Sequence, residues 1–147
     1  NPTEIATAVA EGIKLVIVLV DNRGFGSIGG LSASLGSGGF GTRFNHRNAE
    51  SGQLDGERLV IDFPANAASL GAEVFTPHSI PEFKDALKKA KALDHTSVIV
   101  IQTDRDERVP GYDSWWDVAV AETSTMPGVR KARKDYEQHR KDEKYYL

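Results

Sequence analysis

The sequence predicts an α/β fold in which an open, mainly parallel sheet carries helices on its faces. Two short runs, 14–20 and 97–102, consist largely of β-branched residues and leucine, which is the composition of buried parallel strands. Helix-forming segments alternate with the strands, as crossovers between parallel strands require. The hydrophobic share of 39% in 147 residues is enough for one packed core. We therefore expect one compact domain.

The first elements are a short helix and a strand. Asn1 or Thr3 can cap a helix that begins near Pro2, and Gly12 ends it. Apolar residues recur along this helix at four-residue spacing, which indicates one buried face. The apolar run 14–20 then predicts a strand that is buried on both faces of the sheet.

The next segment, 24–41, is rich in glycine and serine. Such a segment loses much backbone entropy when it becomes ordered, so something outside it must fix it, and a ligand or a partner is one candidate. A flexible surface loop is the alternative, and for 36–41 both interpretations stay open. We expect the segment to be mobile in the absence of such a ligand or partner.

The alternation of helix and strand then continues. Asp62 can cap a helix that Gly71 ends, and 73–76 follows as a short strand. Ser79 and Glu82 form a capping box for the next helix, which leads to the strand 97–102. Only three strands are visible in the sequence, so we expect neighbouring strands from an upstream segment or from a partner chain.

The segment 108–147 differs in character from the domain that precedes it. An aromatic stretch with Tyr112, Trp115 and Trp116 is followed by a charged helix over about 126–144. The aromatic side chains could cover an active site, or they could pack at an interface. We therefore expect a domain that ends at residue 107 and a separate C-terminal segment.

Charge and composition exclude several classes of function. The 18 basic and 21 acidic residues give a net charge of −3, so no overall field favours nucleic acid or an anionic membrane. The absence of cysteine excludes disulfides and a cysteine nucleophile, and it fits a reducing cytoplasm. No apolar run approaches the roughly 20 residues that a membrane helix needs. We expect a cytoplasmic protein with no nucleic-acid or membrane partner.

The candidate site is the segment 21–28, because ligands of open α/β sheets bind beyond the carboxyl ends of the strands. Mg²⁺ prefers oxygen ligands such as an asparagine amide and a backbone carbonyl, and a helix start offers amide donors to a diphosphate. From the residues alone, Asp-Asn after a strand is more often a simple turn. The spacing Gly24-x-Gly26-x-x-Gly29 matches a dinucleotide fingerprint only weakly, because the usual acidic residue downstream is missing.

The chain resembles a family of cofactor-dependent enzymes. Residues 1–5, the buried strand and 21–26 resemble the second half of the motif that binds thiamine diphosphate in enzymes that depend on it. The resemblance implies that the Asn22 side chain and the Gly24 carbonyl bind Mg²⁺. It also implies that the acidic ligand of the motif lies a few positions before Asn1, so we expect the chain to begin inside a longer protein.

Four longer segments sharpen the resemblance, namely 24–32, 36–42, 62–71 and 109–117. They resemble the C-terminal domain of the trihydroxycyclohexanedione hydrolases of inositol catabolism. The aromatic stretch separates this group from relatives of the acetolactate synthase type, which stay the first alternative.

The resemblance also implies which residues bind the cofactors, thiamine diphosphate and Mg²⁺. They are Asn22, Gly24, Phe25, Gly26, Ser27 and Ile28. Ser27 and Ile28 would face the thiazolium ring and the substrate, although a serine at a helix start is often only a cap. Arg43 and His46 could contact a polyhydroxylated substrate, but a solvated loop is the simpler interpretation. Asp21 stands where many relatives carry asparagine, which changes the local charge.

The implied reaction requires parts that lie outside this chain. The thiazolium ring adds to a carbonyl, and water then cleaves a carbon–carbon bond of the cyclic dione substrate to give a deoxyglucuronic acid. The catalytic glutamate would come from a separate domain of a second subunit, so we assign no catalytic residue here and expect the fragment alone to be inactive. A non-catalytic α/β binding or assembly module is the second alternative.

Overall fold

The computed structural model describes residues 1–39, 41–107 and 118–143. The chain divides into two compact units, the first formed by 1–22 and 60–104 and the second by 23–59 and 105–147. Tyr112, Trp115 and Trp116 lie outside the described residues. The two roles proposed for them therefore stay predictions, as does the domain boundary at residue 107.

The described residues form three strands and five helices. The strands are β1 (Val16–Asp21), β2 (Glu73–Phe75) and β3 (Ser97–Gln102). The helices are α1 (Glu4–Ala10), α2 (Gly26–Ser34), α3 (Phe63–Ser69), α4 (Ile80–Ala92) and α5 (Pro127–His139). None of these helices combines the length and the apolar character needed to cross a membrane.

The first unit is built on a parallel sheet with the strand order β1-β3-β2. Both outer strands pair with β3, and Ser97 lies opposite Val16 on one side and Glu73 on the other. Parallel strands joined by helices are the expected result of the alternating pattern. The prediction of an open, parallel α/β sheet with flanking helices is confirmed.

Two apolar clusters hold helices against opposite faces of this sheet. On one face, Ala67 of α3 packs with Val98 and Val100 of β3. On the other face, Ala90 of α4 packs with Ile99. Successive residues of a strand point to opposite faces, so β3 is buried on both sides as the sequence predicts.

The prediction that β1 is also buried on both faces is wrong for the described chain. β1 pairs on one side only, with β3. Val18 and Val20 point to the same face of the sheet and are 39% and 55% exposed. An edge strand with an exposed apolar face agrees with our expectation that neighbouring elements come from outside this chain, and that expectation stays a prediction.

The predicted helix caps of the first unit are confirmed at α3 and α4. The Asp62 carboxylate accepts a hydrogen bond from the Ala65 amide at 2.8 Å. Ser79 Oγ accepts one from the Glu82 amide at 3.3 Å, and the Glu82 carboxylate accepts from the His78 amide at 2.8 Å. Each cap satisfies an amide that would otherwise lack a partner in the first turn.

In the second unit, α2 occupies nine residues of the segment that the sequence suggested was a glycine-rich loop. That interpretation is wrong for 26–34, because contacts from outside the segment override its poor helix propensity. Gly36 and Gly39, with φ values of 83° and 75°, form the turns that follow. The predicted C-terminal helix is confirmed but ends at His139, and 140–143 are not helical.

His95, which lies just before β3, forms a pH-dependent link to Glu73 at the start of β2. Its Nδ1 lies 2.8 Å from the Asp94 carboxylate, and its Nε2 lies 2.9 Å from the Glu73 carboxylate. The hydrogen bond to Asp94, and then that to Glu73, raises the pKa of His95 above its usual 6.5. The hydrogen bond from His95 lowers the pKa of Asp94 below 3.8.

The stabilisation by His95 is expected to be fully present below pH 6.5 and to disappear as the pH rises through its raised pKa. The part contributed by Asp94 is lost at the acidic end, as the pH falls through its lowered pKa. The difference in urea midpoint between the wild type and His95→Gln should therefore be largest near pH 5.5 and shrink towards pH 8.5. It should be small throughout, since the pair is exposed. An equal difference at both pH values, or the same trend in His46→Gln, would contradict this assignment.

Candidate functional site

The residue just after β1, Asn22, has a side-chain amide that could bind a ligand. Asp21 is the last residue of the strand and is 7% exposed, and its carbonyl accepts a hydrogen bond from the Thr103 amide at 3.1 Å. Asn22 follows and is half-buried. Among the residues that the structure describes, none forms a hydrogen bond with the Asn22 side chain. Its amide oxygen is therefore free to bind a ligand.

A cavity of about 270 Å³ opens at the carboxyl ends of the three strands. Asp21 at the end of β1, Thr76 just after β2 and Gln102 at the end of β3 line it with polar side chains. The other lining residues are Ile61, Phe63, Pro64, Pro77, His78 and Val100. The first unit thus has its cavity at the edge of the sheet where open α/β folds bind ligands.

The second unit begins with a strained residue. Arg23 has a φ of 61°, in the left-handed region that residues with a Cβ adopt only at a cost of about 1–2 kcal/mol. The Arg23 carbonyl accepts a hydrogen bond from the Phe44 amide at 3.3 Å, and Gly24 forms an antiparallel bridge with Arg43. These contacts hold the turn, and such strain persists where the surroundings over-determine it, often at functional sites.

Thr42 packs closely against Gly24 through its backbone and against Gly29 through its side chain. A Cβ at Gly24 would lie 2.2 Å from the Thr42 carbonyl oxygen, and one at Gly29 would lie 2.6 Å from Thr42 Oγ1. The Thr42 carbonyl accepts from the Phe25 amide at 2.8 Å, while its hydroxyl donates to the Gly39 carbonyl at 2.6 Å. Glycine is therefore required at these positions for close approach.

Sequence reasoning missed the role of Thr42. The residue belongs to the segment 36–42 that carries part of the family resemblance, but nothing local distinguishes it from a loop threonine. The available signal was the excess of glycine upstream of it, at 24–30 and 36–41, since glycine often marks a close backbone approach. Finding the partner of that approach required the structure.

The start of α2 exposes polar and apolar groups together. Ser27 is exposed, and Phe25 and Ile28 are 56% and 61% exposed. Phe25 is held on one edge by Phe44, with ring centroids 5.7 Å apart and planes at 75°. No side chain caps α2. Its first amides therefore lack a side-chain acceptor of the kind that Asp62 provides at the start of α3. The segment thus offers amide donors and apolar surface to a ligand or a partner.

Arg43 and His46 are solvent-exposed in the structure. Arg43 lies 3.4 Å from the Asp106 carboxylate in an exposed pair, which contributes little to stability. It also lines a small cavity of about 40 Å³ together with Arg105 and residues of α2. The suggested role of these two residues towards a substrate stays a prediction.

The donor groups present suit one kind of metal. Within the described ranges, no three histidine, aspartate or glutamate side chains are grouped so that they could hold a metal ion. An amide oxygen and a backbone carbonyl are hard donors, and Mg²⁺ commonly combines one or two protein oxygens with phosphate oxygens and water. The donor types of Asn22 and Gly24 therefore suit Mg²⁺, and their assignment as its ligands stays a prediction.

Comparison with known proteins gives the family. Residues 1–102 match the family described as "Thiamine pyrophosphate enzyme, C-terminal TPP binding domain". The chain is 39% identical over 130 residues to 3D-(3,5/4)-trihydroxycyclohexane-1,2-dione hydrolase of Clostridium tetani, which covers 88% of this chain and 20% of the relative. The enzyme of the same name from Geobacillus thermodenitrificans is 37% identical over 139 residues, or 95% of this chain and 22% of that protein.

A solved structure supports the same conclusion. The thiamine diphosphate-dependent 4-hydroxybenzoylformate decarboxylase of Rhodococcus jostii RHA1 has a TM-score of 0.55 and 25% identity, over 73% of this chain and 18% of that one. The chain spans about a fifth of the length of the curated relatives it matches. With a family match over 1–102, which is more than half of its length, the chain belongs to the thiamine pyrophosphate enzymes and carries their C-terminal, cofactor-binding domain.

Proposed function

We propose that the protein carrying this chain is a thiamine diphosphate-dependent hydrolase that cleaves a carbon–carbon bond of trihydroxycyclohexane-1,2-dione to form 5-deoxyglucuronate in inositol catabolism. The names of the relatives at 37–39% identity support the substrate class. Similarity also extends over 88–95% of the chain and so beyond the matched cofactor domain. This extended similarity favours a trihydroxycyclohexanedione hydrolase over an enzyme of the acetolactate synthase type.

The observation that carries the cofactor assignment is the unbonded amide of Asn22 at the carboxyl end of β1. In our proposal the Asn22 Oδ1 atom and the Gly24 carbonyl oxygen would hold Mg²⁺, which would offset the negative charge of the diphosphate. The uncapped first turn of α2 supplies the amides of Gly26 and Ser27 to the same negative charge. Phe25 and Ile28 supply exposed apolar surface beside it.

Bound thiamine diphosphate would supply the electron sink for carbon–carbon bond cleavage. The residues of this chain bind and orient the diphosphate, while Ser27 and Ile28 face the reacting end. The catalytic glutamate is assigned to another domain of a second subunit. On this basis the isolated chain is inactive, and the complete protein is a cytoplasmic oligomer.

The test is calorimetry and an activity assay on the full-length protein that contains this chain. We expect thiamine diphosphate to bind only in the presence of Mg²⁺, and the loaded protein to open the ring of trihydroxycyclohexane-1,2-dione. Cofactor binding with consumption of pyruvate in place of the dione would favour the acetolactate synthase type. A protein that binds no thiamine diphosphate at any Mg²⁺ concentration would leave the α/β assembly module as the better proposal.

A further inference from the structure

The C-terminal helix α5 and the loop that follows α2 approach each other closely through backbone atoms. A Cβ at Gly36 would lie 2.3 Å from the Gly128 carbonyl oxygen, and a Cβ at Gly128 would lie 2.5 Å from the Gly36 carbonyl oxygen. We call this the Gly36–Gly128 contact. This contact joins the loop after α2 to a helix that lies beyond the matched family domain, which ends at residue 102.

Helix formation does not explain the glycine at position 128. Gly128 lies in the first turn of α5, where alanine is the better helix former, and its φ is not in the left-handed region. Gly36 does have a φ of 83°, so its own turn favours glycine. The close approach of the two backbones is therefore the physical reason for a glycine at 128.

The rest of α5 is fixed within the same unit. Val129 is 8% exposed, and the side chain of Arg133 is 22% exposed. Arg133 donates from Nη1 to the Val120 carbonyl at 2.8 Å and from Nε to the Glu137 carboxylate at 2.8 Å. The burial of Val129 and the hydrogen bond from Arg133 to Val120 fix the N-terminal half of α5, whose first turn contacts the loop.

A continuous series of contacts leads from Gly36 to the start of α2. The next residue, Ser37, donates from Oγ to the Ser32 carbonyl at 3.0 Å and accepts from the Gly39 amide at 3.2 Å. Gly39 is buried, and its carbonyl accepts from the Thr42 hydroxyl at 2.6 Å. The Thr42 carbonyl in turn accepts from the Phe25 amide.

We propose that α5 is a positioning element for cofactor binding. Through the Gly36–Gly128 contact it holds 36–42 in place, and Thr42 transmits that order to the turn at Gly24 and to the first amides of α2. This inference rests on the proposed function, because it gives α5 an effect on the Mg²⁺–diphosphate site. It assigns no catalytic role to any residue of α5.

The test is Gly128→Ala in the full-length protein. An alanine there would improve the helix but push α5 away from Gly36, so we expect amide hydrogen exchange over 26–42 to become faster. The affinity for thiamine diphosphate with Mg²⁺ should fall about tenfold, as is typical when groups that support a metal site are lost. Lys131→Ala, which changes an exposed side chain of the same helix, should leave exchange and affinity unchanged.

A second glycine provides the control for backbone effects. Gly52 has a φ of 67° and nothing within 4 Å of an added Cβ, so Gly52→Ala strains the backbone without creating a contact. We expect it to leave the exchange at 26–42 and the affinity for the cofactor unchanged. Equal losses in Gly52→Ala and Gly128→Ala would overturn the proposal, since a general loss of stability would then explain both.

Each possible result of these experiments either supports or overturns the proposal. Faster exchange confined to 127–139, with unchanged cofactor affinity, would overturn the proposal. If Gly128→Ala does not fold, Val129→Ala loosens α5 and leaves both glycines in place, and it must then show the same two effects on a smaller scale. If the wild type binds no thiamine diphosphate, the proposed function fails, and the exchange at 26–42 alone decides whether α5 orders that segment.

Discussion

Asn22→Ala is expected to lower the affinity of the full-length protein for Mg²⁺ and thiamine diphosphate by about 100-fold or more. Even groups one step removed from a metal are worth about 10–100-fold in affinity, so a direct ligand should be worth at least as much. The half-buried Asn22 amide makes no hydrogen bond to a described residue, so its removal leaves no protein donor or acceptor without a partner. The folded structure should therefore survive. Calorimetry with both ligands, together with thermal unfolding of the apoprotein, checks both halves of this prediction.

Two other substitutions make the prediction specific to the Asn22 oxygen. Asn22→Asp keeps an oxygen ligand and should retain much more affinity than the alanine variant. Asn66→Ala removes an exposed asparagine side chain from α3 and should change neither affinity nor stability. If Asn22→Ala binds the cofactor as the wild type does, the assignment of the Mg²⁺ ligands is wrong.

The parts of the fold that the sequence predicts are those specified by nearby residues. A cap such as Asp62 or Ser79 bonds to an amide three residues away, so its signal lies within one turn of helix. The apolar composition of β3 predicts a strand that is buried on both faces. The same composition in β1 predicts burial on both faces, which the described sheet does not show, because β1 pairs on one side only.

The candidate site was predictable in its location but not in its construction. The end of a strand followed by Asn22 and a glycine-rich segment indicates where a ligand binds. The structure adds contacts between positions far apart in sequence, such as Gly24 with Thr42 and Gly36 with Gly128. No local pattern specifies which residue fills the space beside a glycine. The sequence indicates a helix start near Ser27, but it does not predict that α2 continues for nine residues, because long-range contacts override weak helix propensity.

Gly24→Ala is expected to disrupt the turn at Gly24 severely and to abolish cofactor binding. The new Cβ would lie 2.2 Å from the Thr42 carbonyl oxygen, a backbone atom that cannot rotate away. Overpacking of this kind costs about 1–3 kcal/mol or more, and here the strain falls on a proposed Mg²⁺ ligand. We expect a lower urea midpoint and loss of measurable thiamine diphosphate binding. Gly38→Ala, whose Cβ would meet no atom closer than 4.0 Å, is the matched control and should behave as the wild type.

Gly29 and Thr42 allow a test that distinguishes a backbone clash from a side-chain clash. A Cβ at Gly29 would lie 2.6 Å from Thr42 Oγ1, so Gly29→Ala should also destabilise the segment, but Thr42→Ala in the same chain removes the obstructing atom. The double variant should recover most of the lost stability, apart from the hydrogen bond that Thr42 donates to the Gly39 carbonyl. Thr42→Ala should give Gly24→Ala no such recovery, because its obstacle is the carbonyl oxygen. Equal recovery in both pairs would show that the Thr42 side chain, and not close contact between the two backbones, sets the geometry of the turn at Gly24.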